Sequence, residues 1–451
     1  MKKIIYGLLL CCSMGCDSEF LDVKSESNLV VPNKIEDLEA LMNNLLMFNG
    51  VAGELAVVGA DEYTVGDGLL QSLTAPWQRN AYLWADQVYE GQPINDWNNA
   101  YQRILYCNIV LERLSTVGAV STEQRNRVKG TALFHRAYSH YLLQNIFGKP
   151  YNPSTKEADL GIPLKLESDV TLRSKRATVA EVYGSIISDL NEALSLLPEK
   201  GLSKYAPGKD AVNALLAKVH LDIFEYTKAL SHASDCLSTA GGILNYNDVP
   251  EQGNTPFPTD PDENPEIIFY ASMLNATILR TRYSISEELL GLYAERDLRK
   301  KIFFTANSDG RMLFKGSYLG YGSGAYFLGL ATDEIRLIEI ECLVRTGDYG
   351  SARAALVGFL ERRFATGAQF NTPADDGMLL SYVLEERRRQ LIFRGNRWAD
   401  LRRLNGEGKF RKTLKRSIDG KDYELLPNSP KYSWPIPDDA VQYSDIVQNE
   451  R

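Results

Sequence analysis

The stretch that decides the fold is LLSYVLEERRRQLIFRGNRWADLRRL, residues 379–404. In its first half, apolar residues recur at steps of three, four and seven with charged residues between them, which is the pattern of an amphipathic helix. Glu385 and Arg389 stand four residues apart with the carboxylate first, the order that favours ion pairing on a helix. Gly395 interrupts the pattern, which resumes at Trp398. The stretch therefore predicts a helix, a bend at the glycine and a short arginine-rich helix.

The same stretch resembles a signature near the end of SusD/RagB-family proteins, which are nutrient-binding outer-membrane lipoproteins. The family pattern is ER-x-x-EL-x-x-EG-x-R-x-x-DL-x-R, and the residues that match it here are Glu386, Arg387, Leu391, Gly395, Arg397, Asp400, Leu401 and Arg403. The chain departs from the pattern at Gln390 and Arg394, where the family usually has Glu. Taken alone, the stretch indicates only a core-packed helical corner with a cluster of arginines.

Further segments carry the same resemblance in the same order. Residues 95–114 resemble the W-x-x-x-Y-x-x-I-x-x-x-N helix of the family, and residues 122–150 resemble the helix that ends in G-x-P. Residues 176–194, RATVAEVYGSIISDLNEAL, match R-x-T-V-x-E-V-Y-x-x-I-x-x-D-L-x-x-A almost residue for residue. The closing WPIP and QN segments also match, at residues 434–437 and 448–449. By these motifs the chain is identified as a member of the SusD/RagB family.

Two segments have the spacing of tetratricopeptide helix pairs. Residues 209–237 and 334–360 each predict a helix, a short turn and a second helix, with Ala229 and Ala352 allowing close helix approach. Because the two copies are not in tandem, they predict a repeat-derived bundle and not a continuous solenoid. The predicted fold class is mostly α, a tetratricopeptide-like helical-pair bundle (SusD-like) with long loop-rich insertions and a few short strands.

The insertions lie near residues 50–93 and 244–330, which are rich in Gly, Pro and aromatic residues and poor in periodicity. Segments of this length without regular structure are often functional. We therefore expect residues 33–451 to form a single domain, a helical scaffold that carries two ligand-binding insertions. The signature region of that domain is residues 379–451.

The N-terminus has the features of an export signal. Lys2 and Lys3 precede a short apolar run, and small residues lead to Cys16. The predicted signal peptide is residues 1–15, with Cys16 as the lipidation site of a bacterial lipoprotein and residues 16–32 as a lipidated tether. A simple secretory signal with an unmodified Cys16 is the alternative. Acyl chains would hold the protein on a membrane without a spanning helix.

Composition argues against several function classes. The net charge of −8 is opposite to the basic surplus expected of a nucleic-acid-binding protein. Among four histidines, His135 and His140 would point about 140° apart on a helix, which is unsuitable for a shared metal. We found no H-E-x-x-H, P-loop or G-x-S-x-G motif. We therefore expect no enzyme activity, no metal and no cofactor, and we expect Cys107, Cys236 and Cys342 to be buried core residues.

The insertions contain residues suited to binding sugars, since Trp and Tyr stack on apolar sugar faces while polar side chains take the hydroxyls. The predicted ligand-binding residues of the first insertion are Asp61, Tyr63, Trp77, Arg79, Asn80, Tyr82 and Trp84. Those of the second insertion are Tyr318, Tyr321 and Tyr326.

The resemblance implies a cell-surface lipoprotein held on the outer membrane by its lipid anchor. It also implies that the protein binds an oligosaccharide ligand and acts as the lid of a SusC-like TonB-dependent transporter during nutrient uptake. Two alternatives remain open. The same lid could carry a peptide, which an acidic cavity with few aromatic platforms would favour. A tetratricopeptide-type protein-interaction scaffold without a small ligand would be favoured if Trp77, Tyr82, Trp84 and Tyr321 were all buried.

Overall fold

The structure, a computed structural model, describes residues 32, 34–251, 253–273, 276–321 and 325–451. The predicted signal peptide (1–15), the lipidation site Cys16 and the tether up to residue 31 lie outside the described residues. In the described parts of the chain, no helix is both long enough and apolar enough to cross a membrane.

The described chain is mainly helical, which confirms the predicted fold class. Its helices are α1 (Ile35–Met42), α2 (Leu45–Phe48), α3 (Glu54–Val58), α4 (Asp67–Gln71), α5 (Pro76–Tyr82), α6 (Asn95–Arg113), α7 (Thr122–Phe147), α8 (Val179–Leu196), α9 (Lys209–Asp222), α10 (Tyr226–Thr239), α11 (Ile278–Thr281), α12 (Glu287–Leu290), α13 (Arg299–Ile302), α14 (Thr332–Thr346), α15 (Tyr349–Leu360), α16 (Asp376–Gln390), α17 (Asn396–Leu404) and α18 (Asp438–Gln442). Its strands are β1 (Gly50–Val51), β2 (Tyr63–Thr64), β3 (Leu160–Pro163), β4 (Arg176–Thr178), β5 (Ile267–Phe269), β6 (Ser272–Met273), β7 (Ser284–Ile285), β8 (Phe304–Ala306), β9 (Met312–Phe314), β10 (Leu330–Ala331), β11 (Leu414–Ile418) and β12 (Lys421–Leu425).

Neighbouring helices pack in pairs along the chain. Helices α6, α7 and α8 pack in succession, α9 packs on α10, and α14 packs on α15. The second and third of these groups are joined because α10 packs on α14. Ala229 and Ala352 are fully buried, consistent with their predicted role at close helix contacts. Both predicted tetratricopeptide-like pairs are therefore present within a single helical bundle.

Local sequence sets where the helices begin. Thr178 and Glu181 form a capping box at the start of α8, in which each side chain bonds the other residue's backbone N–H. The apolar pattern of residues 33–48 predicts a single helix capped near Asn33. That prediction is wrong, because Asn44 accepts a hydrogen bond from the backbone N–H of Met47 at 3.2 Å and begins a separate short helix. Asn33 itself lies outside the described residues, and α1 begins after Lys34.

The two insertions pair with each other through short strands. β1 pairs in parallel with β6, Gly50 opposite Ser272, and β2 pairs antiparallel with β7, Tyr63 opposite Ile285. The insertions also contain the short helices α3, α4, α5, α11, α12 and α13, which their irregular sequence pattern did not predict. Together they form one structural unit on the helical scaffold.

The signature region forms the predicted corner. Helix α16 is followed by Gly395, whose φ of 72° lies in the left-handed region that favours glycine, and then by α17. Trp398 is fully buried, and so is the charged Glu386. The predicted helix, glycine bend and second helix are therefore confirmed.

Buried ion pairs fix this corner to the bundle. Glu341 on α14 accepts hydrogen bonds from Arg403 at 2.6 and 2.8 Å and from Arg345 at 2.8 Å. Arg387 lies 3.6 Å from the same carboxylate. Arginine is suited to such sites because its fork-shaped donors match a carboxylate. The charge of Glu341 therefore holds α16 and α17 against α14.

The predicted core cysteines, Cys107, Cys236 and Cys342, are buried free thiols. Burial raises the pKa of Cys342 to about 12, so the thiol stays protonated at neutral pH. Burial also raises the pKa of the Cys107 and Cys236 thiols.

The first prediction concerns Glu341. Glu341→Gln is expected to lower the free energy of unfolding by about 3–5 kcal/mol, because it leaves buried arginines without their shared carboxylate. Chemical denaturation measures the loss. The matched control is Glu424→Gln, which removes the carboxylate of an exposed surface pair with Lys415 and should leave the denaturation midpoint unchanged. Equal effects of the two variants would contradict the role of Glu341.

The second prediction is acid sensitivity. Burial alone would raise the pKa of Glu386, but Arg299 and Arg389 outweigh it and lower the pKa to about 2. Since this carboxylate binds a proton more readily in the unfolded chain, it stabilises the fold above about pH 4.5, and that contribution is lost as pH falls towards about 2. Melting temperatures measured across this window should fall steeply. Glu386→Gln should flatten the dependence, and an unchanged slope would contradict the assignment.

Candidate functional site

Three of the predicted ligand residues in the first insertion are buried around one arginine. Tyr63, Tyr82 and Trp84 are each no more than 2% exposed. The Arg416 guanidinium of β11 lies 3.7 Å from the ring centre of Tyr82 and 4.2 Å from that of Trp84. Arg416 also donates to the carbonyl of Ala60 at 2.6 Å. The rings therefore form a cation–π core that joins the first insertion to the C-terminal hairpin.

Two predicted ligand residues of the second insertion, Tyr318 and Tyr326, are also buried. The Tyr318 hydroxyl lies between the carboxylates of Glu266 and Asp333, and the Arg394 guanidinium covers its ring at 4.1 Å. Tyr326 donates from its hydroxyl to the carbonyl of Leu279 at 2.7 Å. Both tyrosines are almost fully buried.

The structure places Tyr63, Tyr82, Trp84, Tyr318 and Tyr326 in the core, although the sequence predicted them as ligand-binding residues. A ring stacks on a sugar only if one of its faces is open, and the faces of these rings are occupied by arginines, other aromatic rings or backbone. Their hydroxyl or indole groups also have partners, as in the 3.0 Å bond from Trp84 Nε1 to the carbonyl of Gly59. Aromatic enrichment in the insertions therefore reflects core packing at these positions.

Two predicted polar residues are held in internal contacts. Asp61 accepts from Arg397 at 2.6 and 2.9 Å and lies 2.8 Å from Lys412 Nζ. Burial would raise the pKa of Asp61, but Arg397 and its neighbouring cations hold it well below its usual value. Asn80 is buried and donates from Nδ2 to Val88 and Glu90. The predicted ligand residues Asp61 and Asn80 therefore make contacts inside the protein that fasten the insertion in place.

Trp77 and Arg79 remain candidates in the first insertion. Trp77 is half-buried on α5 and packs against the core with part of its ring. Arg79 reaches Glu90 at 3.9 Å, in a pair whose two side chains are both substantially exposed. Both residues therefore present side-chain surface from the same short helix.

Tyr321 is the predicted aromatic with the most open side chain, at 42% exposure. It belongs to a cluster with Tyr205 and Tyr270, whose ring centres are 5.0 Å apart. Asn49 fixes the backbone beneath, because its Nδ2 donates to the carbonyl of Tyr270 at 2.7 Å and of Tyr205 at 3.2 Å. We call Tyr205, Tyr270 and Tyr321 the tyrosine cluster.

The tyrosine cluster has polar groups beside its aromatic rings. Burial raises the pKa of Tyr270, and a side-chain hydrogen bond with Tyr321 raises it further. Burial, Asp260 and Asp262 raise the pKa of Tyr205. Asp260 and Asp262 are exposed, so their oxygens are free to accept further hydrogen bonds at the surface. The cluster therefore combines aromatic faces with neutral hydroxyls and nearby carboxylates.

A groove of about 440 Å³ borders the tyrosine cluster at Tyr205. Exposed apolar side chains, Leu45 and Leu202, lie along it with the polar Asn43 and Arg127. Its volume falls within the range of small-ligand sites. The cluster and the groove together form the candidate functional site.

Sequence reasoning missed Tyr205 and Tyr270 as members of this site. Tyr205 lies in the turn before α9, outside both predicted insertions, and Tyr270 follows the strand β5. The run EIIFYAS, residues 266–272, predicts a short strand, and this pattern does not show which rings the Tyr270 side chain contacts. The aromatic residues beside Gly and Pro in SKYAPGK, residues 203–209, were the available signal for Tyr205.

Comparison with known proteins finds a family model that matches part of the chain. Residues 19–221 match a SusD-like family described as "Starch-binding associating with outer membrane". The SusD-like protein P2 of Formosa agariphila is 31% identical over 140 residues. That match covers 30% of this chain and spans only 25% of the relative's length.

Solved structures share the fold over almost the whole chain. A SusD superfamily protein of Bacteroides thetaiotaomicron has a TM-score of 0.72 and 20% identity, covering 93% of this chain and 100% of that one. A SusD-like carbohydrate binding protein of Bacteroides vulgatus has a TM-score of 0.71 and 18% identity, covering 92% and 97%. The chain therefore has the fold of these SusD superfamily structures, a helical bundle with loop-rich insertions. Residues 19–221, a little under half of the chain, also match the SusD-like family model.

The third prediction separates core aromatics from surface aromatics. Trp84→Ala should lower the free energy of unfolding by about 3–5 kcal/mol, because it removes a fully buried ring and one face of the Arg416 contact. Tyr321→Ala should change it by less than about 0.5 kcal/mol. Urea denaturation of the two variants measures the difference. A small effect of Trp84→Ala would show that its ring is not part of the core.

Proposed function

We propose that this protein is a cell-surface lipoprotein that binds an oligosaccharide at the tyrosine cluster. The observation that carries the proposal is the geometry of the tyrosine cluster, in which Tyr321 is open, Tyr205 is half-buried and the buried Tyr270 supports them from beneath. Sugar rings have apolar faces that stack on such rings, and their hydroxyls match the nearby carboxylates of Asp260 and Asp262.

The family supports the cellular setting. Its description, starch-binding and associating with the outer membrane, agrees with a lipid anchor at Cys16 and with glycan as the cargo. On this basis we propose that the protein acts as the lid of a SusC-like TonB-dependent transporter and passes the bound sugar to it. The proposed activity is binding and transfer of the ligand, without catalysis.

The exposure of the predicted aromatics bears on the two alternatives. A protein-interaction scaffold without a small ligand would have Trp77, Tyr82, Trp84 and Tyr321 all buried, and Tyr321 is exposed while Trp77 is half-buried. A peptide cargo is the second candidate. Two observations favour it. Asp260 and Asp262 lie beside Tyr205, and fewer aromatic rings are open at the surface than the sequence predicted.

The fourth prediction tests the glycan proposal. Soluble protein beginning after Cys16 should bind one of a panel of polysaccharides saturably in isothermal titration calorimetry. Tyr321→Ala and Tyr205→Ala should each raise the dissociation constant about tenfold, because loss of one stacked ring costs about 1 kcal/mol or slightly more of binding free energy. Trp77→Ala shows whether the first insertion also contributes.

The matched control is Tyr443→Ala, which removes a tyrosine that is 79% exposed and lies outside the cluster. It should bind as the unmodified protein does. Glycan binding that survives Tyr321→Ala and Tyr205→Ala but not Tyr443→Ala would contradict the proposed location. Binding of peptides with no binding of any glycan would overturn the proposed cargo.

A further inference from the structure

A second cavity, of about 530 Å³, lies away from the tyrosine cluster. Four parts of the chain form it: the loop after α7, the turn between α9 and α10, the end of α17 and the C-terminal segment. None of the predicted ligand residues and no member of the tyrosine cluster lines it. Its volume is within the range of small-ligand sites.

One wall of this cavity is aromatic. Tyr151, Phe224 and Tyr226 are half-buried, and the ring centre of Phe224 lies 6.1 Å from that of Tyr151 and 6.4 Å from that of Tyr226. The Arg345 guanidinium lies 4.7 Å from the centre of the Tyr226 ring and is itself held by Glu407 at 2.8 Å. The rings are therefore fixed in place while part of each remains accessible.

The backbone supports the same wall in an unusual conformation. Phe224 has a φ of 65°, in the left-handed region that bulky residues rarely adopt. Across the cavity, Asn428 has a φ of 61°. Residues held in such conformations cluster at ligand-binding positions, because the surrounding structure must impose them.

The opposite wall offers polar groups with unused hydrogen-bonding capacity. Asn405 and Tyr432 are each 1% exposed and line the cavity. Burial raises the pKa of Tyr432 to about 12, and the facing Asn405 amide offsets part of that rise. Although the two groups face each other, neither Asn405 Nδ2 nor the Tyr432 hydroxyl completes a hydrogen bond within the described structure. Buried polar atoms of this kind usually find a partner.

The charges around the cavity are balanced. Lys149, Arg402 and Arg403 face Asp159, Glu407 and Glu450. Lys149 pairs with Asp159 at 3.3 Å, Arg403 pairs with Glu341, and Glu407 pairs with Arg345. Arg402 donates to the carbonyls of Gly148 at 2.7 Å and Tyr432 at 2.9 Å, which joins two walls of the cavity. No surplus of one sign is left to hold an ion.

From these observations we infer that the cavity is a second carbohydrate site, which takes a neutral oligosaccharide independently of the tyrosine cluster. The half-buried rings match apolar sugar faces, and the asparagines and Tyr432 match sugar hydroxyls. The lining carries equal numbers of cationic and anionic side chains, so no net charge favours a charged ligand over a neutral one. The site would let one lipoprotein molecule hold a glycan chain at two separate points.

Hydrogen–deuterium exchange of the soluble protein tests this inference with maltohexaose, cellohexaose and xylohexaose as probes. The protein is the Tyr321→Ala variant, so that the tyrosine cluster does not contribute. At least one probe should slow exchange severalfold in residues 149–153 and 428–433. Tyr151→Ala should abolish the protection by removing a ring. Glu450→Trp should abolish it by filling the mouth of the cavity from an exposed position, without loss of buried packing.

The outcomes separate this site from the proposed function. Protection near Tyr321 in the unmodified protein, with none at residues 149–153 for any probe, overturns the second site and leaves the tyrosine cluster standing. Protection at residues 149–153 alone supports the second site and overturns the first. Protection at neither overturns both. Protection there by a hexamer of galacturonic acid, and by none of the neutral probes, overturns the inferred neutral class.

Discussion

Buried pairing between arginines and carboxylates is the interaction on which the rest of the structure depends. The signature corner places charged residues in the interior, and most of them are tolerable because an opposite charge meets them there. Glu386 pairs with Arg299 of the second insertion, and Arg397 pairs with Asp61 of the first. Loss of either partner would leave an uncompensated charge in a medium of low polarity. The corner therefore joins both insertions to the helical scaffold.

The helices were predictable because their information is local. The apolar periodicity and the glycine at residue 395 indicate α16 and α17 without knowledge of what they contact, and the capping box at Thr178 does the same for α8. The break at Asn44 was missed because the apolar pattern continues through it, while the side chain of Asn44 ends one helix and begins another. A side chain that caps a helix can end an apolar periodic pattern, and whether it does so depends on the hydrogen bond that it makes in the folded chain.

The candidate site was less predictable, because exposure is decided by distant partners. Trp84 and Tyr321 are similar candidates in sequence, each in a Gly-, Tyr- or Trp-rich insertion. Arg416, more than three hundred residues away from Trp84, covers the first, and among the residues that the structure describes no comparable cation covers the second. Tyr205 could not be linked to Tyr321 from the sequence, since the link depends on how Asn49 holds the backbones of Tyr205 and Tyr270 together. Residue type predicts rings that could stack on a sugar, and tertiary packing decides which of these rings are open to the surface.

The strand pairs between the insertions constrain how this surface could diversify. Gly50 faces Ser272 and Tyr63 faces Ile285, so a change of length or direction in one insertion would shift the register of the other. A loop transplanted from a relative would meet a mismatched strand unless its counterpart came with it. In terms of inheritance, the two insertions would have to be exchanged together, although residues 94–243 of the helical scaffold separate them in the sequence.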